Sequence, residues 1–284
     1  MQFGATFRQL RELKGISLSS LASEEISKSQ ISRFELDEND ISFQKLFYLL
    51  EQIKVTLPEF LVAANNHENS HFQLFLSHLS HSIDQMDTSS LQKLYEEELL
   101  HYEENRNDYH KLNSLMVLNA IYDFQPATPI KDSDCLFLSD YLFSVEEFGY
   151  YEFVLLANSY RILPSSLLYH YTDIVLESWG KQAYTLELQM LILQIGIHTL
   201  LIALDDHPEE AYHLLRDLNQ LTQNSQFFYE QTLLLYLGGI LKLSSSPQEA
   251  EQDILLALNI LKLFKNSTYT RFYQHYVSYK QKDN

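Results

Sequence analysis

Two short helical patterns on either side of a polar break, within residues 17–35, constrain the fold of this chain more than any other feature. Ser17 can cap the N-terminus of the first pattern, and Ser27 or Ser29 can cap the second. The apolar positions of the two patterns are Leu18, Leu21, Ala22, Ile31 and Phe34. Because helices this short cannot bury their apolar faces alone, they must pack on each other and on neighbouring helices. This layout predicts a helix-turn-helix, whose second helix enters the major groove of DNA.

The remainder of the chain is also expected to be helical. The 284 residues include only 7 Gly and 6 Pro, so the chain has few of the turn-forming residues that short strands and tight hairpins need. Leu, Ile and Tyr recur at helical spacing almost throughout, so the predicted fold class is all-α. The single cysteine, Cys135, excludes an internal disulfide framework and fits a reducing cytosol.

No membrane partner is expected. No apolar run approaches the roughly 18 residues that a membrane span needs, because Lys, Glu, Asp or His interrupts each candidate. The N-terminal segment M-Q-F-G-A-T-F-R-Q-L-R lacks the apolar core of a signal peptide. We therefore expect a cytoplasmic protein.

The helical breaks predict two domains. Residues 1–65 read as five helices, the polar residues 66–70 as a linker, and residues 71–284 as a long series of amphipathic helices. Breaks in that series recur at a spacing that gives helix hairpins of about 34 to 45 residues, the period of tetratricopeptide-like or HEAT-like solenoids. No strict repeat consensus is present, so the repeats are degenerate. A solenoid offers a concave surface for an extended peptide; the alternative is an ordinary globular helical domain.

Charge is distributed unevenly between these domains. The net charge is −18, but residues 1–65 carry 7 basic and 9 acidic residues, and the remaining 219 residues carry a net charge of −16. DNA binding depends on Lys and Arg side chains that replace condensed counterions. A nearly neutral domain should bind DNA weakly, so useful affinity requires two copies on two half-sites. The sequence therefore predicts a homodimer.

The exposed side of the second short helix holds the candidate DNA contacts. Gln30 can pair with adenine, and Arg33 or Lys28 with guanine. Basic residues of the first helix can contact phosphate, although one of them can instead pair with Glu35. The candidate DNA-binding residues are Arg8, Arg11, Ser17, Lys28, Ser29, Gln30 and Arg33. For each one, the alternative is a solvated helix surface.

Residues 17–35 resemble the xenobiotic-response-element type of helix-turn-helix. The pattern L-A-x(4)-S-x(3)-I-S-x-x-E is matched by Leu21, Ala22, Ser27, Ile31, Ser32 and Glu35. Together with residues 27–35 and 138–152 and the acidic helical remainder, the chain resembles the Rgg/MutR family over nearly its whole length. In some relatives a cysteine that can link two DNA-binding domains stands where this chain has Phe43, so no such link is expected. Leu18 replaces a frequent phosphate-binding Gln, so that contact is not expected either.

This resemblance implies a cytosolic transcriptional regulator. Its fold would be an N-terminal helix-turn-helix domain followed by a right-handed α-solenoid of degenerate tetratricopeptide-like repeats. It would bind promoter double-stranded DNA as a homodimer. An imported short peptide pheromone would bind the concave face of the solenoid and change promoter activity.

The helix predicted after Gly149 carries the main candidate ligand residues. Asn158 and Arg161 are three positions apart, so both should point the same way, with Tyr151 and Leu155 on neighbouring turns. An Asn can hold a peptide backbone, and an Arg offers a planar fork to a carboxylate. By resemblance, Asn158 and Arg161 lie in the peptide pocket of the family. Further candidates for the inner face are Gln194, His198, Tyr229 and Tyr236, although aromatic residues at helical spacing are usually core.

No catalytic, metal or cofactor site is expected. His67, His71, His78 and His81 have spacings that metal sites can use, but no carboxylate completes a recognisable motif. No glycine-rich phosphate loop, nucleophile elbow or paired catalytic carboxylate is found. Two rival functions remain open: a regulator whose helical domain only dimerises or senses a non-peptide ligand, and a helical-repeat adaptor that has lost DNA binding. The low basic content of residues 17–40 favours the adaptor.

Overall fold

The computed structural model describes residues 2–65, 70–180, 184–265 and 268–282. Within these ranges the chain is helical, with no β-strand, and the predicted all-α fold class is confirmed. The chain divides into two compact units, Met1–Ser77 and His78–Asn284. Residues 66–69 of the predicted linker lie outside the described residues, so the domain boundaries at 65 and 71 stay predictions.

The N-terminal unit contains the five expected helices. They are α1 (Phe3–Leu13), α2 (Leu18–Leu21), α3 (Lys28–Glu35), α4 (Phe43–Gln52) and α5 (Leu57–Ala64). The side chains of Ser17, Ser27, Ser42 and Thr56 cap α2 to α5 by accepting a backbone N–H three residues later. Of the two candidate caps for α3, Ser27 is therefore the one used. Each cap satisfies a backbone donor that the helix itself cannot pair.

Close packing of α1 on α3 determines the shape of this unit. Phe7 of α1 is fully buried, and its ring lies 6.0 Å from that of Phe34. A Cβ atom built on Gly4 would lie 1.7 Å from the Phe34 carbonyl oxygen, so only glycine allows this approach. The Gly4 N–H donates to Asp37 Oδ1 at 2.9 Å. The helix-turn-helix pair α2–α3 is thus fixed against the first helix.

The remaining helices follow the predicted breaks. They are α6 (His71–Asp84), α7 (Thr88–Asn105), α8 (Asp108–Phe124), α9 (Asp132–Ser144), α10 (Tyr150–Asn158), α11 (Ser165–Ser178), α12 (Leu186–Asp206), α13 (Pro208–Leu221), α14 (Phe228–Lys242), α15 (Pro247–Leu263) and α16 (Thr268–Lys282). A short 3-10 turn, Ser225–Phe227, precedes α14. The break expected at Asn266 falls on a residue outside the described ranges.

Four even-numbered helices of the second unit, α8 to α14, form a continuous layer. α8 packs on α10, α10 on α12, and α12 on α14. Their odd-numbered partners pack against this layer, with α7 on α8, α11 and α13 on α12, and α15 on α14. A large buried cluster of this unit is centred on α12, α13 and α14, where Leu193, Leu200, Leu218 and Tyr236 are 0% exposed. A stack of helix pairs of this kind is a helical repeat domain.

The expectation that no apolar segment approaches the length of a membrane span was wrong. The segment Leu186–Leu204 of α12 is long and apolar enough to cross a membrane by length and composition, with a mean hydropathy of 1.6. The central helix of a globular domain passes the same test, and α12 packs against four other helices of the repeat domain. Its composition is explained by that central position.

Candidate functional site

The exposed face of α3 holds the predicted DNA contacts. Lys28, Ser29 and Arg33 are exposed, whereas Ile31 and Phe34 are buried against α1. Arg33 lies 3.7 Å from Glu38, and both side chains are more than half exposed. An ion pair this exposed is worth at most about 1 kcal/mol, so Arg33 can exchange Glu38 for a phosphate or a base.

Gln30 has a structural role in addition to its exposure. Its Oε1 accepts the Ser27 N–H at 3.1 Å, while Ser27 Oγ accepts the Gln30 N–H at 3.2 Å. This reciprocal capping box fixes the start of α3. Within the capping box the Gln30 Nε2 group can still donate to a base, whereas its Oε1 is shared with the Ser27 N–H. Ser17 is likewise exposed and caps α2.

The structure overturns the prediction of a DNA contact for Arg11, because this side chain is buried. Its Nε and Nη2 donate to the two carboxylate oxygens of Glu35 at 2.6 and 2.8 Å, and its Nη1 donates to the Ile16 carbonyl at 2.7 Å. The side chains of Arg11 and Glu35 are only 8% and 4% exposed. Arg11 is therefore the residue that pairs with Glu35, and it joins α1 to α3. Arg8 instead forms an exposed ion pair with Glu12 at 2.9 Å.

A small polar cavity lies on the layer of even-numbered helices. Its volume is about 80 Å³, which accommodates a side chain or a chain terminus but not a whole peptide. It is lined by residues of α8, α10, α12 and α16, among them Met116, Asn119, Asp123, Asn158, Gln194, His198 and Arg271. The structure thus brings together three of the predicted ligand residues: Asn158, Gln194 and His198.

Asp123 is the polar centre of this cavity. Its carboxylate accepts the Tyr160 hydroxyl at 2.5 Å and lies 3.2 Å from Arg161 Nε and 3.8 Å from Arg271 Nη1. The Asp123 side chain is 12% exposed. Burial, with the negative charge of Asp123, raises the pKa of Tyr160 well above its usual range, so the phenol stays protonated and donates. One carboxylate therefore holds two guanidinium groups from distant parts of the chain.

Arg161 is not on the helix predicted for it. α10 ends at Asn158, and Arg161 lies in the following turn, so the prediction that both share one helix face was wrong. The Arg161 N–H donates to Asn119 Oδ1 at 2.7 Å, and the Asn158 Nδ2 donates to the Val154 carbonyl at 2.8 Å. Side-chain hydrogen bonds of this kind compete with helix continuation. Arg161 still reaches the cavity through Asp123.

His198 is neutral at physiological pH. Its ring stacks on that of Tyr160 with centroids 4.0 Å apart, and its Nδ1 lies 2.8 Å from the Ala157 carbonyl. Burial lowers the pKa of His198 to about 4. A carbonyl acceptor at this distance requires the proton on Nδ1, which leaves Nε2 as an acceptor. Gln194 lies one turn earlier on α12 and also lines the cavity.

The three predicted tyrosines lie outside this cavity. Tyr236 is 0% exposed, donates its hydroxyl to the Phe272 carbonyl and stacks on the Phe272 ring, so its place is in the core and the prediction of a ligand contact was wrong. Tyr151 packs against Tyr109, with its hydroxyl 3.2 Å from Asn113 Oδ1. Tyr229 lies at the start of α14, with its hydroxyl 2.9 Å from Thr268 Oγ1. None of the three lines the cavity.

Sequence reasoning did not identify Asn119, Asp123 or Arg271. Asn119 and Asp123 are four residues apart in the otherwise apolar run of residues 115–124, and that pattern is a usable signal, because polar side chains in a buried run need partners. Arg271 offers no such signal, because its contact with Asp123 joins α16 to α8 across much of the chain.

Among the residues that the structure describes, no group of three or more His, Cys, Asp or Glu side chains is placed to hold a metal ion. Of the four histidines considered above, His67 lies outside these residues. The fold defines the class of the protein: a helix-turn-helix protein with a helical repeat domain.

Comparison with known proteins gives the family. The family model described as "HTH-type transcriptional regulator Rgg, C-terminal domain" matches residues 91–275. The SHP pheromone receptor Rgg2 of Streptococcus dysgalactiae is 31% identical, with 99% of both chains covered and a TM-score of 0.78. The chain therefore belongs to the Rgg family, and the resemblance inferred from the sequence is confirmed.

Two more distant structures share the fold. A protein of Listeria monocytogenes EGD-e is 16% identical over 100% of this chain and 99% of its own, with a TM-score of 0.81. PrgX in its complex with cCF10 is 14% identical over 99% and 93%, with a TM-score of 0.73. At these identities the likeness concerns the fold alone.

Proposed function

We propose that this protein is a cytoplasmic, non-enzymatic transcriptional regulator that binds promoter DNA as a homodimer and responds to a short peptide pheromone. The polar cluster around Asp123 carries the proposal, because two guanidinium groups, an amide and an imidazole converge there within a largely apolar layer. The similarity to a pheromone receptor at 31% identity supports the ligand class.

The DNA-binding half of the proposal rests on α3. Lys28, Ser29 and Arg33 are exposed on one short helix whose other side is buried in the unit. Residues at the start of a recognition helix contact base edges, and flanking groups contact phosphate. Because residues 1–65 carry a net charge of only −2, a single copy gains little counterion release. Two copies on two half-sites supply the missing affinity.

The peptide half rests on the layer formed by α8, α10, α12 and α14. Helical repeat stacks form extended concave binding surfaces, and we assign that surface to this layer, which holds the cavity. With a volume of about 80 Å³, the cavity accepts one group while the rest of a peptide lies outside it. A peptide carboxylate can replace Asp123 as the partner of Arg161 or Arg271. Asn158 and Gln194 can hold the peptide backbone.

A gel-shift titration tests DNA binding. If Arg33 contacts a base, Arg33→Ala should weaken binding to the promoter by about 1 to 3 kcal/mol. If Arg33 contacts phosphate, the slope of the logarithm of the binding constant against the logarithm of the salt concentration should fall in magnitude by about 1. Lys54→Gln, which removes one positive charge outside α2 and α3, is the matched control. Equal DNA affinity of Arg33→Ala and Lys54→Gln would contradict the role of α3.

Fluorescence anisotropy with a labelled synthetic peptide tests the ligand site; the peptide is taken from a short reading frame beside the gene. Arg161→Ala should weaken peptide binding by about 1 to 3 kcal/mol, the usual scale for a hydrogen bond to a charged group. Gln194→Ala should also weaken it, whereas Gln220→Ala, on α13, should not. Unchanged affinity in both Arg161→Ala and Gln194→Ala would leave the helical domain as a dimerisation module or a sensor of another ligand.

A further inference from the structure

A groove lies between α11 and α13, which both pack on α12. Its volume is about 560 Å³, and Thr199 of α12 lies at its floor. The Thr199 Oγ1 lies 2.7 Å from Thr172 Oγ1 of α11, and this contact fixes one wall to the floor. Gln194 and His198 line the polar cavity from a different side of α12, because successive helical residues are rotated by about 100°. We call this space the outer groove, and it is separate from the proposed peptide site.

The outer groove has the length of a short helix. Its walls are formed by residues 169–177 of α11 and residues 210–221 of α13. At a rise of about 1.5 Å per residue, these stretches are roughly 12 and 17 Å long, which corresponds to about two to three helical turns. Two parallel ridges of this length can hold one face of a third helix between them.

The interior of the outer groove is apolar. Tyr169 and Leu176 of α11 and Leu214 and Leu221 of α13 line it, and all four pack against the buried cluster around α12, α13 and α14. Their side chains are only half-buried, so each of them also presents apolar surface to the groove. A row of apolar side chains between two helices is the surface that an amphipathic helix covers with its own apolar face.

Carboxylates line both walls of the outer groove. They belong to Asp173 and Glu177 of α11 and to Glu210 and Asp217 of α13, and all four residues are exposed. Among the described residues that line the groove there is no Lys or Arg; Asp217 pairs outside it with its exposed neighbour Arg216, at 3.0 Å. Burial, with the negative charges of Glu177 and Asp217, raises the pKa of Asp173. The carboxylates of the two walls therefore repel one another, and a cation placed between them relieves that repulsion.

We propose that the outer groove is a docking site for a basic amphipathic helix of another protein. The apolar side chains of that helix lie against Leu176, Leu214 and Leu221, and its Lys or Arg side chains pair with the carboxylates of both walls. A second copy of this chain does not fit, because it carries 20 basic and 38 acidic residues and would be repelled. This proposal does not depend on peptide binding.

A labelled synthetic helix tests the proposal by fluorescence anisotropy with the full-length protein. The probe is about four helical turns long, with leucines at i, i+4, i+7 and i+11 and arginines on both sides of that row. We expect saturable binding, at least tenfold tighter than that of a peptide with the same composition whose leucines are scattered around the helix. Equal affinity for the two peptides would mean attraction by net charge alone, and either that result or no saturable binding would overturn the proposal.

Variants of the wall carboxylates test the charge complementarity. Asp173→Asn/Asp217→Asn should weaken probe binding at least fivefold, whereas Glu96→Gln/Glu97→Gln, which removes the same charge from exposed positions of α7, should not change it. Charge reversal in Asp173→Lys/Asp217→Lys should make the protein prefer a probe in which Glu replaces every Arg. Equal effects of the two neutral double variants, or an unchanged preference after charge reversal, contradict docking in the outer groove.

Hydrogen exchange locates the bound probe. Peptides from α11 and α13 should gain protection when the probe is added, whereas peptides from α8 and α10 should not; protection confined to other helices would refute the location. Sedimentation velocity then compares the oligomeric state of Asp173→Lys/Asp217→Lys with that of the unaltered protein. We expect no difference. A smaller oligomer in the variant would mean that a second copy occupies the outer groove, which overturns the docking of a foreign helix.

Discussion

The buried ion pair between Arg11 and Glu35 gives the sharpest prediction for the DNA-binding unit. Arg11→Ala removes a guanidinium that makes two hydrogen bonds to Glu35 and one to the Ile16 carbonyl. The Glu35 side chain, 4% exposed, is then left buried without its cation. An exposed pair on the same helix, Arg8 with Glu12, provides the comparison, because both side chains are about half exposed.

The two substitutions should differ severalfold in how much they lower the free energy of unfolding. Breaking a buried ion pair by removing one partner typically costs about 3 to 5 kcal/mol. Breaking an exposed pair costs about 0 to 1 kcal/mol. At roughly 0.05 to 0.15 kcal/mol per residue, a unit of this size has only about 3 to 10 kcal/mol of stability. Arg11→Ala should therefore leave the helix-turn-helix close to its unfolding threshold, while Arg8→Ala leaves it folded.

Hydrogen exchange read by mass spectrometry measures this difference within the full chain. Peptides from α1 and α3 should lose protection in Arg11→Ala but not in Arg8→Ala. Fluorescence of Trp179, the single tryptophan, reports on the repeat domain and should not change in either variant. The double variant Arg11→Met/Glu35→Leu should recover much of the protection, because apolar replacement of a buried pair is often neutral. Equal protection of α3 in Arg11→Ala and Arg8→Ala would refute this reasoning.

Three further predictions concern other positions. The pKa of His198 is about 4 in the folded protein, below the usual histidine value of about 6.5, so the unfolded chain binds more protons between these two values. Stability should therefore fall by about 3 kcal/mol as the pH drops from 6.5 to 4. Urea unfolding followed by Trp179 fluorescence should show this loss, and His198→Asn, which keeps the neighbours Asp123, Arg161 and Arg271, should reduce it. Gly4→Ala should lower stability by at least about 2 kcal/mol, measured by hydrogen exchange in α1, because its Cβ would clash with the Phe34 carbonyl. The control Ala5→Gly, on the exposed face, should lower stability by about 1 kcal/mol. Equal losses would refute the clash. Asp123→Asn frees two guanidinium groups, so it should strengthen binding of a peptide with a free C-terminus about tenfold and leave a C-terminally amidated peptide unchanged, as measured by anisotropy.

Local chemistry made the helices predictable. Ser17, Ser27, Ser42 and Thr56 all cap the helices that the sequence indicated, because a cap depends on residues within one turn. The start of α10 after Gly149 was visible for the same reason. The end of α10 was not, because Asn119, 42 positions away in the sequence, takes the Arg161 N–H.

Tertiary packing decided which helical positions became ligand residues. His198 and Tyr236 both lie at helical spacing on the even-numbered layer, yet His198 lines the cavity and Tyr236 is 0% exposed. The difference depends on what packs across from each residue: Phe272 of α16 covers Tyr236. Hydrophobic periodicity identifies a helix face but not the partner of that face. The sequence therefore predicts which helices hold the site, but it predicts only some of the residues that line it.

The charged cluster at Asp123 lies in a largely apolar layer, and that placement is an argument for its use in ligand recognition. The side chains of Arg161 and Arg271 are 32% and 35% exposed, and a well-packed apolar group is often as stable as an ion pair, so packing alone does not account for these charges. In the ligand-free protein, the Asp123 carboxylate pairs with both guanidinium groups and accepts the Tyr160 hydroxyl. A ligand must then offer a carboxylate that pairs better than Asp123 does, and neutral peptides gain nothing from the exchange. Under the proposed function, this internal competitor selects against wrong peptides, since specificity is a difference between affinities. Because Arg271 belongs to α16 and Asp123 to α8, the same exchange also changes how the last helix is held.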